Sequence, residues 1–155
     1  MANLKLQQEK LFDIFPEIHE LITEHYNELS VTGPEFSRLP DWDEYKRLEE
    51  ANQFVMFTVR TDNKLVGYSW FFLKPHMHYK HMILATNDIV YLQKDFREGF
   101  AGIKLIKYSD SRLKELGAHK ITWRIRRTND ISAIFYRMGY SDEDLIVGKM
   151  LTTSK

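Results

Sequence analysis

Midway along the chain, the segment Asp95-Phe96-Arg97-Glu98-Gly99-Phe100-Ala101-Gly102 places an arginine and two glycines directly ahead of a run with helical periodicity. The first amides of a helix have no intrahelical partner and carry a partial positive charge, so such a start can hold an anion, phosphate above all. Gly99 and Gly102 let the backbone approach that anion without a Cβ in the way. Arg97 adds a permanently charged planar fork. The stretch lacks the Lys-Ser or Lys-Thr of a P-loop and is not G-x-G-x-x-G, so it matches neither common nucleotide loop. Two readings stay open: a pyrophosphate cradle of another type, or a tight turn before a helix.

Two other clusters carry reactive groups. His76, His78 and His81 lie in Pro75-His76-Met77-His78-Tyr79-Lys80-His81, and imidazoles at alternating strand positions share a face. No further ligand group stands nearby in sequence, and a loop leading toward an acceptor pocket would use these side chains equally well, so no metal is expected. Trp123-Arg124-Ile125-Arg126-Arg127 alternates cations with apolar residues, the pattern of a strand with one solvated face or of a basic strip for a phosphate or an acidic partner. Cysteine is absent, which excludes disulfides, thiolate zinc sites and a cysteine nucleophile.

These groups must be positioned by elements that the periodicity predicts. Asn3 to Gln7 reads as a short first strand. From Leu11 to Leu29 apolar residues recur at helical steps, interrupted by Pro16, which either kinks the helix or opens its second half. A turn-rich loop follows, then a polar helix from an aspartate cap at Asp41 to Asn52. Gln53–Arg60 and Leu65–Leu73 form a hairpin pattern around Thr61–Lys64, and Met82–Leu92 is a third strand. A helix from Gly102 to Glu115 stops at Gly117, and His119–Arg126 is a fourth strand. Thr128–Gly139 is a short helix capped by Thr128 or Asn129, and Asp144–Thr153 is a final strand. The order predicts an α/β chain, more closely an α+β mixed sheet with helices on both faces.

The 155 residues suit one domain, residues 1–155. Lys plus Arg and Asp plus Glu are both 22, so there is no basic surplus, which argues against a nucleic-acid partner. No apolar run is long enough to cross a bilayer and no secretory leader is evident, so no membrane partner and a cytoplasmic location are expected.

The run from Asp88 through Gln93–Ile106, the strand around Lys120–Arg126 and the helix Asn129–Tyr140 resemble the GNAT superfamily of acyl-CoA-dependent N-acyltransferases, especially compact members of the kind encoded by phages. The likeness covers the second half of the chain well and the first half in element order. It implies a mostly antiparallel mixed sheet, acetyl-CoA as co-substrate, and transfer of its acyl group to a primary amine of a small molecule or protein. The family's R/Q-x-x-G-x-G/A motif falls on Arg97, Glu98, Gly99, Phe100, Ala101 and Gly102. In that frame Phe100 replaces the first motif glycine; shifting to Phe96 restores that glycine at Gly99 but loses the arginine. The resemblance further implies that the strand ending in Tyr91 and Leu92 presents backbone to the pantetheine arm, that Asn129 contacts its amides, and that an arginine of Trp123–Arg127 greets the 3′-phosphate. Asp88 becomes the base or water-orienting carboxylate, with Asn87 as helper, or else a strand cap. Counting from Asn129 puts the family's acidic tyrosine at Tyr136, whereas counting back from Gly139 puts Phe135 there; only Tyr136 could donate a proton. Phe36, Trp42 and Tyr45 either line the acceptor pocket or cover the core. A homodimer through the last strand is a family-level expectation. A noncatalytic GNAT-fold module, such as a phage protein engaging a host factor, is the alternative.

Overall fold

The computed structural model describes residues 3–29, 39–127 and 130–152. Five strands lie in sequence order: β1 (Leu4–Gln8), β2 (Phe54–Thr61), β3 (Lys64–His76), β4 (Tyr79–Leu92) and β5 (Lys120–Thr122). All neighbours are antiparallel except β4 and β5, which are parallel. The parallel step needs a crossover, and α3 (Ala101–Glu115) supplies it. On the opposite face lie α1 (Phe15–Leu29) and α2 (Trp42–Glu50), and α4 (Ser132–Tyr136) follows β5.

The two-residue alternation of β2 builds both layers at once. Phe54 and Met56 pack with Leu11, Ile18, Leu21, Ile22 and Leu48 beneath α1 and α2, while Val55, Phe57 and Val59 pack with Leu105 and Leu113 of α3. Ser109 fixes α3 on the sheet through a buried hydroxyl pair with Ser69 at 2.9 Å. Pro16 stands at the second residue of α1, where its missing N–H costs nothing. Asp41 caps α2 by accepting from Glu44 N–H at 3.0 Å, and Glu49 of α2 accepts from Leu11 N–H at 2.7 Å, tying α2 to the approach of α1. Asp62 and Asn63, both at positive φ, make the β2–β3 turn. Gly117 and Gly139 end α3 and α4 at φ 98° and 89°; in each case the following residue, Ala118 or Tyr140, donates back into the helix as a Schellman motif requires.

Three expectations change. The β3–β4 hairpin is longer than its apolar pattern: His76 pairs with Tyr79, so the histidine-rich segment is the hairpin's tip. β5 stops at Thr122 because the Trp123 ring turns inward against Phe71 and Phe135, at 5.0 and 5.1 Å. The final strand does not form within residues 144–152; Leu145, Ile146, Val147 and Leu151 are 68–85% exposed, since among the described residues no strand lies beyond β5 to meet them.

Arg60 is buried on β2 and held by Glu9 at 2.9 Å, Glu17 at 2.8 Å and the Asn63 carbonyl at 2.8 Å. Burial raises the Glu9 carboxyl, but Arg60, Thr58 and Gln7 together outweigh it and hold the group below its usual range. Arg60→Ala should therefore cost about 3 kcal/mol in urea unfolding at neutral pH, since Glu9 is left buried without its cation. Because the depressed carboxyl contributes stability above its unfolded pKa and loses it as pH falls through the folded one, the gap between variant and wild type should narrow in acid.

Candidate active site

The register of β4 against β3 skips: Ser69 pairs with Val90 and Phe71 with Asn87, so Trp70 alone opposes Asp88 and Ile89. This is a β-bulge in β4. Asn87, itself buried, donates its amide to the carbonyls of Trp70 and Ile89, both at 3.1 Å. The extra residue turns neighbours that would normally alternate toward the same layer. Ile89 packs beneath α1 and α2, and Asp88 accepts a hydrogen bond from the Tyr45 hydroxyl on α2.

Tyr45 lies among rings, with Phe54 at 5.2 Å, Trp70 at 5.4 Å and Phe72 at 6.0 Å. That apolar setting lifts the Asp88 carboxyl above its ordinary value; the Tyr45 hydrogen bond and the charge of Arg124 offset only part of the lift. Burial first, and then Asp88, push the Tyr45 phenol far up, so Tyr45 remains the donor. A carboxylate raised by desolvation accepts a proton near neutral pH better than an exposed one.

β5 follows β4 only from Leu84 to Thr86. Beyond Thr86 the two strands part, and β4 continues to Leu92 with no neighbour on that side among the described residues. β4 then leads through a short 3₁₀ turn (Lys94–Phe96) to the start of α3. Here Gly99 has φ 121°, a conformation that favours glycine. The first amide of the helix to find a carbonyl is that of Lys104, bonded to Phe100 at 2.8 Å. Among the described residues none of the amides from Glu98 to Ile103 has a protein acceptor, and α3 has no acidic residue in its first turn. A Cβ at Gly99 or Gly102 would meet nothing within 4 Å, so there is open space beside both glycines. Free donors, open space and a helix start together fit a diphosphate. A groove of about 560 Å³ runs on between α3 and α4, lined by Ile103, Lys107, Lys114 and Arg137 among others.

The other expected site residues fall in different places. Phe100 caps α3 with ordinary φ and ψ (−99°, −2°) and its side chain is 72% exposed; Ala101 is buried. The Arg97 guanidinium turns back to α1, where Glu28 takes it at 2.7 Å. The Leu92 carbonyl accepts from Arg97 Nε at 2.6 Å. Tyr91 is buried and donates its hydroxyl to Glu28 at 2.7 Å. Tyr136 is 49% exposed and its hydroxyl donates to Asp142 at 2.5 Å, while Phe135 is the buried member of the pair. Asn129, Thr128 and Phe36 lie outside the described residues. His76 and His78 turn toward each other at the hairpin tip, His76 accepting from the His78 amide at 3.1 Å. Among the described residues no three His, Cys, Asp or Glu side chains are grouped to hold a metal, and no helix is long and apolar enough to cross a membrane.

Spacing could not have paired Tyr45 with Asp88 or Glu28 with Arg97. The nearest signals were local: an asparagine beside the candidate aspartate, and aromatic residues on a helix otherwise polar.

The fold has well-matched relatives among solved structures. An aminoglycoside acetyltransferase from an uncultured soil metagenomic sample, solved with trehalose, superposes with a TM-score of 0.73 at 21% identity, over 96% of this chain and 95% of that one. Ribosomal-protein-alanine N-acetyltransferase from Brucella melitensis biovar Abortus gives 0.70 at 17% identity, over 97% and 99%. A predicted acetyltransferase from Clostridium acetobutylicum, solved with acetyl-CoA, gives 0.69 at 13% identity, over 96% and 97%. At these identities the likeness is one of fold. No curated protein matches the sequence. The Acetyltransferase (GNAT) family matches residues 15–140, most of the chain and all of the elements from α1 to α4; the parted strands and the open helix start thus belong to a member of the GNAT acetyltransferase family.

Proposed function

We propose that the protein transfers an acetyl group directly from acetyl-CoA to a primary amine of a small molecule or protein, with Asp88 as the base. One observation carries this reading. A carboxylate lifted by burial sits on the β4 bulge, and the same strand leads into a helix start whose amides have no protein acceptor among the described residues.

The amides of Gly99 to Ile103 would hold the diphosphate, and the adjoining groove is lined by the cations Lys107, Lys114 and Arg137 together with the carboxylate of Asp110. The open backbone of β4 toward Leu92 offers peptide groups to an extended amide-bearing arm. When bound, acetyl-CoA supplies an acyl group activated as a thioester. Asp88 receives the proton that the attacking amine must lose, at the carboxylate that Tyr45 holds by a hydrogen bond. Asn87 keeps that carboxylate on the acceptor side by fastening the bulge. Tyr136 is assigned no proton to deliver, because its hydroxyl is committed to Asp142 and a thiol of ordinary pKa, about 8.5, needs no side-chain acid. A binding module without chemistry would have no use for a desolvated carboxylate, which is costly to keep.

Millimolar acetyl-CoA should raise the melting temperature by roughly 5–10 °C if it exceeds its Kd about a hundredfold; an unchanged melting curve would remove the assignment. In a thiol-release assay with an accepted amine, Asp88→Asn should lower kcat on the order of 10²–10⁴-fold while leaving acetyl-CoA affinity intact. Tyr45→Phe keeps the ring but deletes a hydrogen bond that lowers the Asp88 pKa. The base then stays protonated to higher pH, so the acid limb of the kcat/KM profile should move upward; a limb that stays put or moves down would clear Asp88 of the role.

A further inference from the structure

The first residue of the phosphate-loop motif points away from the helix start. Arg97 Nη2 reaches both oxygens of Glu28, at 2.9 and 2.7 Å. Its Nε donates to the Leu92 carbonyl at 2.6 Å, and its guanidinium carbon lies 5.4 Å from the centre of the Tyr91 ring. The Tyr91 hydroxyl bonds the same carboxylate at 2.7 Å. One turn earlier on α1, Glu24 accepts from Gln93 Nε2 at 3.1 Å. The segment between β4 and α3 is therefore fastened to the last two turns of α1 by side chains 69 residues apart in sequence.

Electrostatics favour this arrangement. The last turn of α1 contains no basic residue of its own, and a helix C-terminus carrying glutamates is a concentrated negative end. Arg97 brings the missing cation from across the sheet. With one edge of the guanidinium on a carbonyl, a carboxylate on another and a ring close by, the side chain is held from several directions.

We infer that Arg97 is a positioning residue, a strut that fixes the loop bearing Gly99 against α1 through Glu28, and that the diphosphate is held by backbone amides without its guanidinium. The inference rests on the acetyl-CoA reading above for its functional consequence, but the strut is a property of the chain itself. The two roles predict opposite signs for one variant. If Arg97 is a phosphate ligand, removing its competitor by Glu28→Gln frees the guanidinium and tightens acetyl-CoA binding. If it is a strut, Glu28→Gln loosens the loop and weakens binding.

Acetyl-CoA affinity would be measured by calorimetry for wild type, Glu28→Gln, Arg97→Gln and the double variant, alongside amide hydrogen exchange over Lys94–Phe100 in the ligand-free proteins. The expected result is about fivefold weaker binding in each single variant, no further loss in the double, and faster exchange over the loop in all three. Unchanged or tighter binding in Glu28→Gln, or loop exchange no faster than wild type in either single variant, overturns the strut. Should wild type itself fail to bind acetyl-CoA, the functional reading falls, and the exchange data alone then decide whether the strut stands.

Discussion

The arrangement of this site depends on one side-chain amide. Asn87 is buried within β4 and donates to two backbone carbonyls, one on its own strand and one on β3. A bulge leaves ladder groups without their regular partners, and an unsatisfied buried carbonyl costs on the order of 1–3 kcal/mol. Asn87 meets that demand at the point where two residues of β4 oppose one of β3. A bulge also bends its strand and increases the local twist. The parallel pairing with β5 reaches Thr86, just before the bulge, and goes no further. The added residue thus sets the direction of the Asp88 and Ile89 side chains, and it falls where β4 parts from β5, the strand that Trp123 ends.

Two carboxylates near β4 show how setting decides chemistry. Burial is the largest influence on both Asp88 and Glu28, and in both it raises the pKa. At Glu28 the Arg97 hydrogen bond, the Tyr91 hydrogen bond and nearby cations outweigh it, so the group ends below its ordinary value. At Asp88 a neutral phenol and the more distant Arg124 do not, and the group ends above. Glu28 is a fixed counter-ion with little tendency to take a proton. Asp88 is only partly compensated, so it takes up a proton more readily than an exposed aspartate. The difference lies in depth as well as partner: Asp88 is the more deeply buried and is met by a single hydroxyl, whereas Glu28 is partly exposed and has a full charge in direct contact.

Elements with strong local signals were legible in the sequence. The alternation of Phe54–Val59, the cap at Asp41, the turn at Asp62–Asn63 and the stops at Gly117 and Gly139 all follow from short-range geometry. What escaped depends on partners far away in the chain. Residues 144–152 carry the composition of a strand, but β propensity needs an edge to pair with, and β5 is only three residues long. Trp123 ends it by turning to Phe71, Phe135 and the Tyr140 hydroxyl, which accepts from its indole N–H at 2.9 Å. The site was half legible for the same reason. Asp88 and the glycines announce themselves by type and position, whereas Tyr45 and Glu28 lie 43 and 69 residues from the groups they bond.

The substitution of Phe100 for a motif glycine looks like damage to the phosphate loop until the backbone is considered position by position. Glycine is needed where φ is positive or where a Cβ would strike a neighbour. Gly99 meets the first condition, at φ 121°. Phe100 meets neither, since φ −99° and ψ −2° are open to any L-residue and its ring projects into solvent. The amide of residue 100 is the same donor with or without a phenyl ring. The Arg97 frame and the Phe96 frame also differ chiefly in which side chain leads the motif, and Arg97 is already engaged by Glu28 and Leu92. Both ambiguities concern side chains. The proposed diphosphate cradle is a property of main-chain geometry, kept by one glycine with positive φ and one helix start, which is why a loop with an atypical sequence can retain it.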